Sequence, residues 1–305
     1  MATLNISASL IKSLESCTTE VYYNKVQKIP SEAHWKTRIG SITHDILEIY
    51  ANPRHKNIVK KSKKTKLEKI PEVKKLINRK IKEYRLENFV IQDKYDMYED
   101  LDVLIKRALN YGISMDGAEK VYHPEYKFEF NVNGVNCKGF FDRIADYGTH
   151  IQCLDYKTQK TPFSNKELDS NVQAMLYQYA IRKLFNKKSY VSFLMLRQKE
   201  TSKNFIQEVA PLPDDVLDGF EVYLNDFSEK IKSFGYKEAV QNPATKNGES
   251  WKCNYCSYKN PFKYYGCYNE SGELVRTSLY EITPKSNEIV IQLDFPGCVF
   301  HQNSL

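Results

Sequence analysis

Between Glu125 and Thr158 the chain reads as three short strands joined by two tight turns, and no other stretch constrains the fold as strongly. Apolar and polar residues alternate along it, and Asn133-Gly134 is a strong signal for a type I′ hairpin. Gly148-Thr149 suits a two-residue type II′ turn with glycine first. Such a turn dictates register. Tyr147 faces His150, which puts Asp142 opposite Asp155 and Phe140 opposite Lys157. Opposed side chains sit about 5 Å apart at Cβ, where like charges are destabilising. Two facing carboxylates therefore need a reason to exist, and a bound divalent cation is the usual one. Phe140, Ile144 and Cys153 make the same face apolar, so it should point into the protein. Lys157 shares it with Asp155 because strand side chains alternate. By the same counting through Asn133-Gly134, Glu125 falls opposite Asp142.

The surroundings read as helices before the strands and alternating elements after them. Ser7 is a plausible N-cap for a helix with Leu10, Leu14, Cys17 and Val21 on one stripe. A second helix from about Thr37 to Ala51 carries Ile39, Ile42, Ile46 and Ile49 on its core face and His44 on the opposite one. Pro53 ends it. The lysine run that follows reads as a loop, with helical patterning again over 72–86 and 98–111. After the strands come a long helix over 165–185, an apolar strand over 190–196 and an amphipathic helix over 214–234. Past Pro243 the chain turns to loop, closing on a strand over 288–295. This order predicts an α/β fold with a mixed central sheet flanked by helices.

Charge narrows the function. The formal net charge is +7, but between Arg54 and Arg85 there are 14 Lys or Arg against three Glu, a local +11 that leaves the rest at −4. A basic segment on a mildly acidic body suits a polyanion held at one place, equally a solvated helix with a lysine-rich loop. Lys60, Lys61, Lys63, Lys64 and Lys66 are the DNA-binding candidates. No apolar run is long enough to cross a bilayer and the first residues lack a signal pattern, so a cytoplasmic location is expected, the host's if the source is viral. Seven cysteines in that setting point to metal ligation rather than disulfides.

An acid, then an acid, one residue and a lysine form the motif of the PD-(D/E)xK nuclease superfamily, and Phe141-Asp142 with Asp155-Tyr156-Lys157 resembles it. The wider context resembles the RecB-type branch, which includes the RecB and AddB nuclease domains and the CRISPR-associated adaptation nucleases. Gly139 to Ile144 looks like its G-x-x-D-R-I strand and Asp155-Tyr156-Lys157-Thr158 like its D-Y-K-T strand. Gln173 and Tyr177 match its Q-x-x-x-Y helix, Gly40 and His44 its G-x-x-x-H helix, and Glu125 a glutamate common on the preceding strand. The departures are the absent proline before Asp142 and the long basic insertion after the His44 helix.

The resemblance implies a restriction-endonuclease-like core over 1–305, with a helical basic insertion at 52–118. It implies catalytic Asp142, Asp155, Lys157, Gln173 and Tyr177. His44, Asp142, Asp155, Glu125 and the Tyr156 carbonyl would hold magnesium or manganese (Mg²⁺ or Mn²⁺). Iron–sulfur members of the branch carry one cysteine near the N-terminus and three near the C-terminus. By that likeness Cys17, Cys253, Cys256 and Cys267 would bind a [4Fe–4S] cluster, in a C-terminal lobe over 243–275 packed with the first helix. Cys298 is a substitute for Cys267, whose spacing is longer than the branch's. A zinc knot is the rival, and Cys17 alone could be a core residue; Cys137 and Cys153 read as structural. The implied activity is a metal-dependent exonuclease acting on single-stranded DNA or duplex ends in recombination, repair or phage DNA processing. A structure-specific or nicking endonuclease, or a DNA-binding subunit of a larger helicase or integration complex, are the alternatives.

Overall fold

The computed structural model describes residues 4–31, 35–84, 86, 91–111, 115–245 and 250–301. In chain order the elements are α1 (Ala8–Ser16), α2 (Thr18–Val21), α3 (Trp35–Ala51), α4 (Lys56–Lys64), α5 (Pro71–Glu83), α6 (Ile91–Tyr111) and β1 (Lys120–Val121). Next come β2 (Tyr126–Val132), β3 (Val135–Phe141), β4 (Arg143–Asp146), β5 (Ile151–Lys157), α7 (Asn165–Asp169), α8 (Val172–Phe185), β6 (Ser189–Met195) and β7 (Ile206–Val209). The chain ends with α9 (Asp214–Lys232), α10 (Tyr236–Ala239), β8 (Phe262–Tyr268), β9 (Leu274–Ser278) and β10 (Ile289–Phe295). No helix among the described residues is long and apolar enough to cross a membrane. The chain divides into two compact units, 33–129 with 138–223, and 1–32 with 130–137 and 224–305.

The first of these units holds a five-stranded mixed sheet in the order β1-β4-β5-β6-β7. Only β5 and β6 run parallel, and α7 and α8 lie between them in sequence, which is a βαβ crossover. This is the expected mixed central sheet with helices. β5 is central, and five of its seven residues, Ile151 and Cys153 to Tyr156, are buried, as a strand covered on both faces must be. Leu154 and Tyr156 belong to the same core cluster as Ile42 and Ile46 of α3 and Ile77 of α5. The expected helix over 165–185 is interrupted: Ser164 caps α7 in a capping box, and Asn171 caps α8 through a bond from the Ala174 N–H. Two N-caps seven residues apart are two helix starts.

The lysine run is a helix, not the expected loop. Ser62 is buried on α4; its hydroxyl bonds the Ile58 carbonyl at 2.9 Å and meets the Tyr50 hydroxyl at 2.7 Å. Ile58 and Val59 pack against the core, while Lys60, Lys61, Lys63, Lys64 and the following Lys66 are exposed. Lysine is a good helix former, and one anchored face is enough to outweigh the charge.

The second unit carries a three-stranded antiparallel sheet, β10-β8-β9, of which only β10 was legible in the sequence. Its aromatic core joins Tyr23 and Ile29 to Tyr258 and Phe295. The predicted N-cap is present, the Ser7 hydroxyl accepting from the Leu10 N–H at 3.1 Å. The predicted continuous stripe to Val21 is not, because Cys17 has extended backbone (φ −158°) and separates α1 from α2. Thr18 and Thr19 there both donate to the Ala239 carbonyl at 2.7 Å, and Lys252 donates to the Ser16 hydroxyl at 2.8 Å, binding the N-terminal helices to the C-terminal segment. At the β2–β3 turn, Asn133 (φ 46°) and Gly134 (φ 80°) have the paired positive angles of a type I′ turn.

Candidate active site

The β4–β5 hairpin follows the register counted from its turn: Arg143 pairs with Leu154, Ile144 with Cys153 and Asp146 with Ile151. Gly148 has the positive φ (81°) expected of the first turn residue. The ladder stops where Asp142 begins. Instead of one long strand the chain bends at Asp142, between β3 and β4, and the Asp142 carboxylate accepts the Tyr156 N–H at 2.7 Å. A side chain has replaced the strand carbonyl as acceptor for β5. Phe140 thereby leaves the buried face and is 48% exposed, contrary to the alternation argument, while Lys157 pairs with Met195 of β6. The Glu125 N–H donates to the Asp142 carbonyl at 3.2 Å, so these two residues are neighbours as counted. Glu125 has a left-handed backbone (φ 50°), a conformation that costs energy for a residue with a Cβ.

His44 comes in from α3. Its Nδ1 lies 3.2 Å from Asp142 Oδ1 and 3.8 Å from Glu125 Oε1, and its Nε2 lies 3.0 Å from the Tyr156 carbonyl oxygen. Gly40, one turn earlier, makes this approach possible: a Cβ there would sit 2.9 Å from Thr158 Oγ1 at the end of β5. From α8, Gln173 donates to Asp155 Oδ1 at 2.6 Å and to the Tyr177 hydroxyl at 2.8 Å. The Tyr177 hydroxyl has two acceptors for its one proton, the Phe140 carbonyl at 2.9 Å and Asp155 Oδ1 at 3.2 Å. Lys157 Nζ donates to Gln173 Oε1 at 2.6 Å and lies 2.7 Å from Asp155 Oδ2. That last contact is ionic without the direction of a hydrogen bond, since Oδ2 is buried and accepts none.

The electrostatics follow from burial. Asp142 and Asp155 are 7% and 3% exposed. Burial, then the charge of Asp155, pushes the Asp142 carboxyl up to about 6, against the opposing pull of His44. Burial would depress His44, but the charge and hydrogen bond of Asp142, helped by Glu125 and Asp155, hold it well above the usual histidine range. An imidazolium facing oxygens on both nitrogens is a proton doing a cation's work. Among the described residues, His44, Glu125 and Asp142 also form the group whose ligand atoms all lie within 4.8 Å of one another. Carboxylates, one imidazole and a carbonyl are a donor set for a hard divalent ion, and Asp155 Oδ2 has spare capacity beside them, so the residues fit one. A cavity of about 840 Å³ in the α3–α5 region is lined by none of these residues.

The model of the PD-(D/E)XK nuclease superfamily matches residues 5–260. The chain belongs to that superfamily and is a nuclease. No curated protein matches it. Among solved structures, a candidate exonuclease from Eubacterium rectale is 11% identical over 81% of this chain and 88% of its own, with a TM-score of 0.43. The protein SSO0001 is 19% identical over 59% of this chain and 76% of its own, with a TM-score of 0.32.

The nuclease's second unit places its cysteines less as expected. Cys17, Cys253, Cys256 and Cys298 line one narrow cavity, with Glu20 and Tyr23 beside them. Cys267 is not there. It is buried in β8, paired with Val290 and Arg276 and bonded to Glu288. Strand alternation holds it in the sheet, whereas Cys298 follows β10 in a turn free to aim its thiol. The Tyr258 amide bonds the Cys256 thiol and the Phe300 amide the Cys298 thiol. Burial pushes Cys256 up to about 12 and raises Cys253 and Cys298, so a metal would have to displace their protons. His301 also lines this cavity. The sequence reading missed it, although its spacing of three from Cys298 was a signal. Cys137 and Cys153 are fully buried and free of disulfides.

Proposed function

We propose that this nuclease is a Mg²⁺- or Mn²⁺-dependent DNA exonuclease acting on single strands or duplex ends, in recombination, repair or phage DNA processing. The observation that carries the reading is the gathering of His44, Glu125 and Asp142 ligand atoms within 4.8 Å, with Asp155 acting on Asp142 and His44 through its charge and Lys157 paired to Asp155. A divalent ion bound by His44, Glu125, Asp142, Asp155 and the Tyr156 carbonyl would supply Lewis-acid polarisation of the phosphate and a more acidic water. Lys157, held by Gln173 Oε1, offers N–H donors and a positive charge to the attacking water and the charge that builds on phosphorus. Gln173 and Tyr177 orient Asp155 through its Oδ1, which leaves Oδ2 for the cation. His44 must shed its proton to ligate, so metal and proton compete for the same oxygens.

The exonuclease reading is supported by the likeness to the RecB-type branch, and the exposed lysines of α4 are the DNA track it proposes. End-labelled single-stranded, duplex and circular DNA, incubated with Mg²⁺ or Mn²⁺ and with EDTA, tests it. Cleavage of linear but not circular DNA is expected. Cutting of circles would make the protein an endonuclease, and no cutting under any condition would make it a binding subunit.

For the second unit we propose a [4Fe–4S] cluster on Cys17, Cys253, Cys256 and Cys298. Four thiols around one cavity, two of them already receiving amide hydrogen bonds, is a donor set that fits the group. The thiols are spread around the cavity: among the described residues no three of them come within 4.8 Å of each other, whereas four thiolates on one zinc at about 2.3 Å each are packed closer. The cluster would tie the first helices to the C-terminus and contribute stability rather than chemistry, since hydrolysis moves no electrons. Iron and sulfide analysis of anaerobically purified protein tests it, with one zinc per chain as the refuting result.

A further inference from the structure

The cysteine cavity has a polar wall that the four thiols do not explain. Cys298 and His301 are joined by a tight turn in which the His301 N–H donates to the Cys298 carbonyl at 2.8 Å. That turn delivers both side chains to the cavity. His301 Nε2 is shut off from solvent and has no hydrogen-bond partner. A buried ring nitrogen left unpaired is costly and rare in a folded protein, so its partner should be something the cavity receives. The neighbouring donors already point at sulfur: the Phe300 amide and the Tyr23 hydroxyl at Cys298, and the Tyr258 amide at Cys256.

We infer that His301 is a positioning residue for the group held by Cys17, Cys253, Cys256 and Cys298, its Nε2–H donating a hydrogen bond to a sulfur of that group. The inference rests on the cluster reading above. Four thiolates supply one ligand to each of four irons, which leaves the imidazole no iron to bind and makes it a donor. A donor to cluster sulfur stabilises the more electron-rich oxidation state, and hydrogen bonds to sulfur are one of the levers that set the reduction potential. His301 therefore holds the potential up, and no electron leaves the protein in the hydrolytic reaction.

The test compares anaerobically purified full-length wild type with His301→Ala and His301→Gln. Iron and sulfide content are measured first, then the midpoint potential by redox titration followed by electron paramagnetic resonance. Full iron content in all three, a potential shifted negative in His301→Ala and restored toward wild type by the amide donor of His301→Gln, is the expected result. An unchanged potential in a fully loaded His301→Ala overturns the inference and leaves the cluster reading intact. Wild type that holds zinc, or no metal, overturns both. Should His301→Ala fail to fold, wild type labelled with ¹⁵N-histidine decides the matter: the reduced cluster should show a hyperfine-coupled histidine nitrogen, and its absence refutes the hydrogen bond.

Discussion

Replacing Asp142 with asparagine should make the metal-free protein more stable while abolishing cleavage. Asp142 is 7% exposed, is repelled by the charge of Asp155, and has a carboxyl raised from 3.8 to about 6. At 1.36 kcal/mol per unit, its charge at neutral pH opposes folding by roughly 3 kcal/mol. Asparagine keeps an oxygen to accept the Tyr156 N–H, and the lost ion pair with His44 is already counted, because its pull is part of what sets the value at about 6. The net gain is then roughly 3 kcal/mol at most, a rise of several degrees in Tm. The sign with pH is fixed. A carboxyl whose folded pKa is raised binds an extra proton in the native state between about 4 and 6, so metal-free stability falls as pH rises through that window. Thermal unfolding in EDTA at pH 7.5 and pH 4.5 measures it: Asp142→Asn should exceed wild type at the higher pH and lose most of that advantage at the lower. Saturating Mn²⁺ should reverse the order, because only wild type gains binding energy. A variant less stable than wild type in EDTA at pH 7.5, with a difference indifferent to pH, would refute the reasoning.

Asp155→Ala and Lys157→Ala should each lower kcat by at least about 10²-fold with DNA affinity nearly intact, since both act on the transition state; activity near wild type in either removes it from the chemistry. His44→Ala should raise the metal concentration needed for half-maximal cleavage, and the metal requirement of wild type should itself rise as pH falls through about 6, where Asp142 takes up a proton; a titration with Mn²⁺ at several pH values reads both. Changing Lys60, Lys61, Lys63, Lys64 and Lys66 to glutamine should weaken DNA binding and flatten its dependence on salt, by about 0.7–0.9 in the log–log slope for each phosphate no longer neutralised. An unchanged slope would make α4 a solvated face. Gly40→Ala should destabilise by about 1–3 kcal/mol through the clash with Thr158 Oγ1, with Thr158→Ala restoring stability in the double variant.

The hairpin that carries Asp142 and Asp155 was legible because a two-residue turn and a period of two leave no freedom in which residues face each other. The motif spacing on that hairpin, the His44 and Gln173 helices and the order of elements were therefore readable, and the superfamily with them. The bend at Asp142 was not readable. It exists because the carboxylate takes over a backbone acceptor from β5, a choice made only once β5, α3 and α8 have surrounded it. The same holds for the lysine segment, where composition suggested a loop and a single buried Ser62 with its Tyr50 partner anchors a helix.

What the sequence determined by itself was chemistry of short range: turns, caps and strand alternation. What only the tertiary structure decided was which distant groups meet. Cys298 rather than Cys267 joins Cys17, Cys253 and Cys256, because pairing in β8 locks one thiol into a sheet while the turn after β10 frees the other. Spacing along a chain measures how far apart two residues can be, and folding, through packing and register, decides how far apart they are.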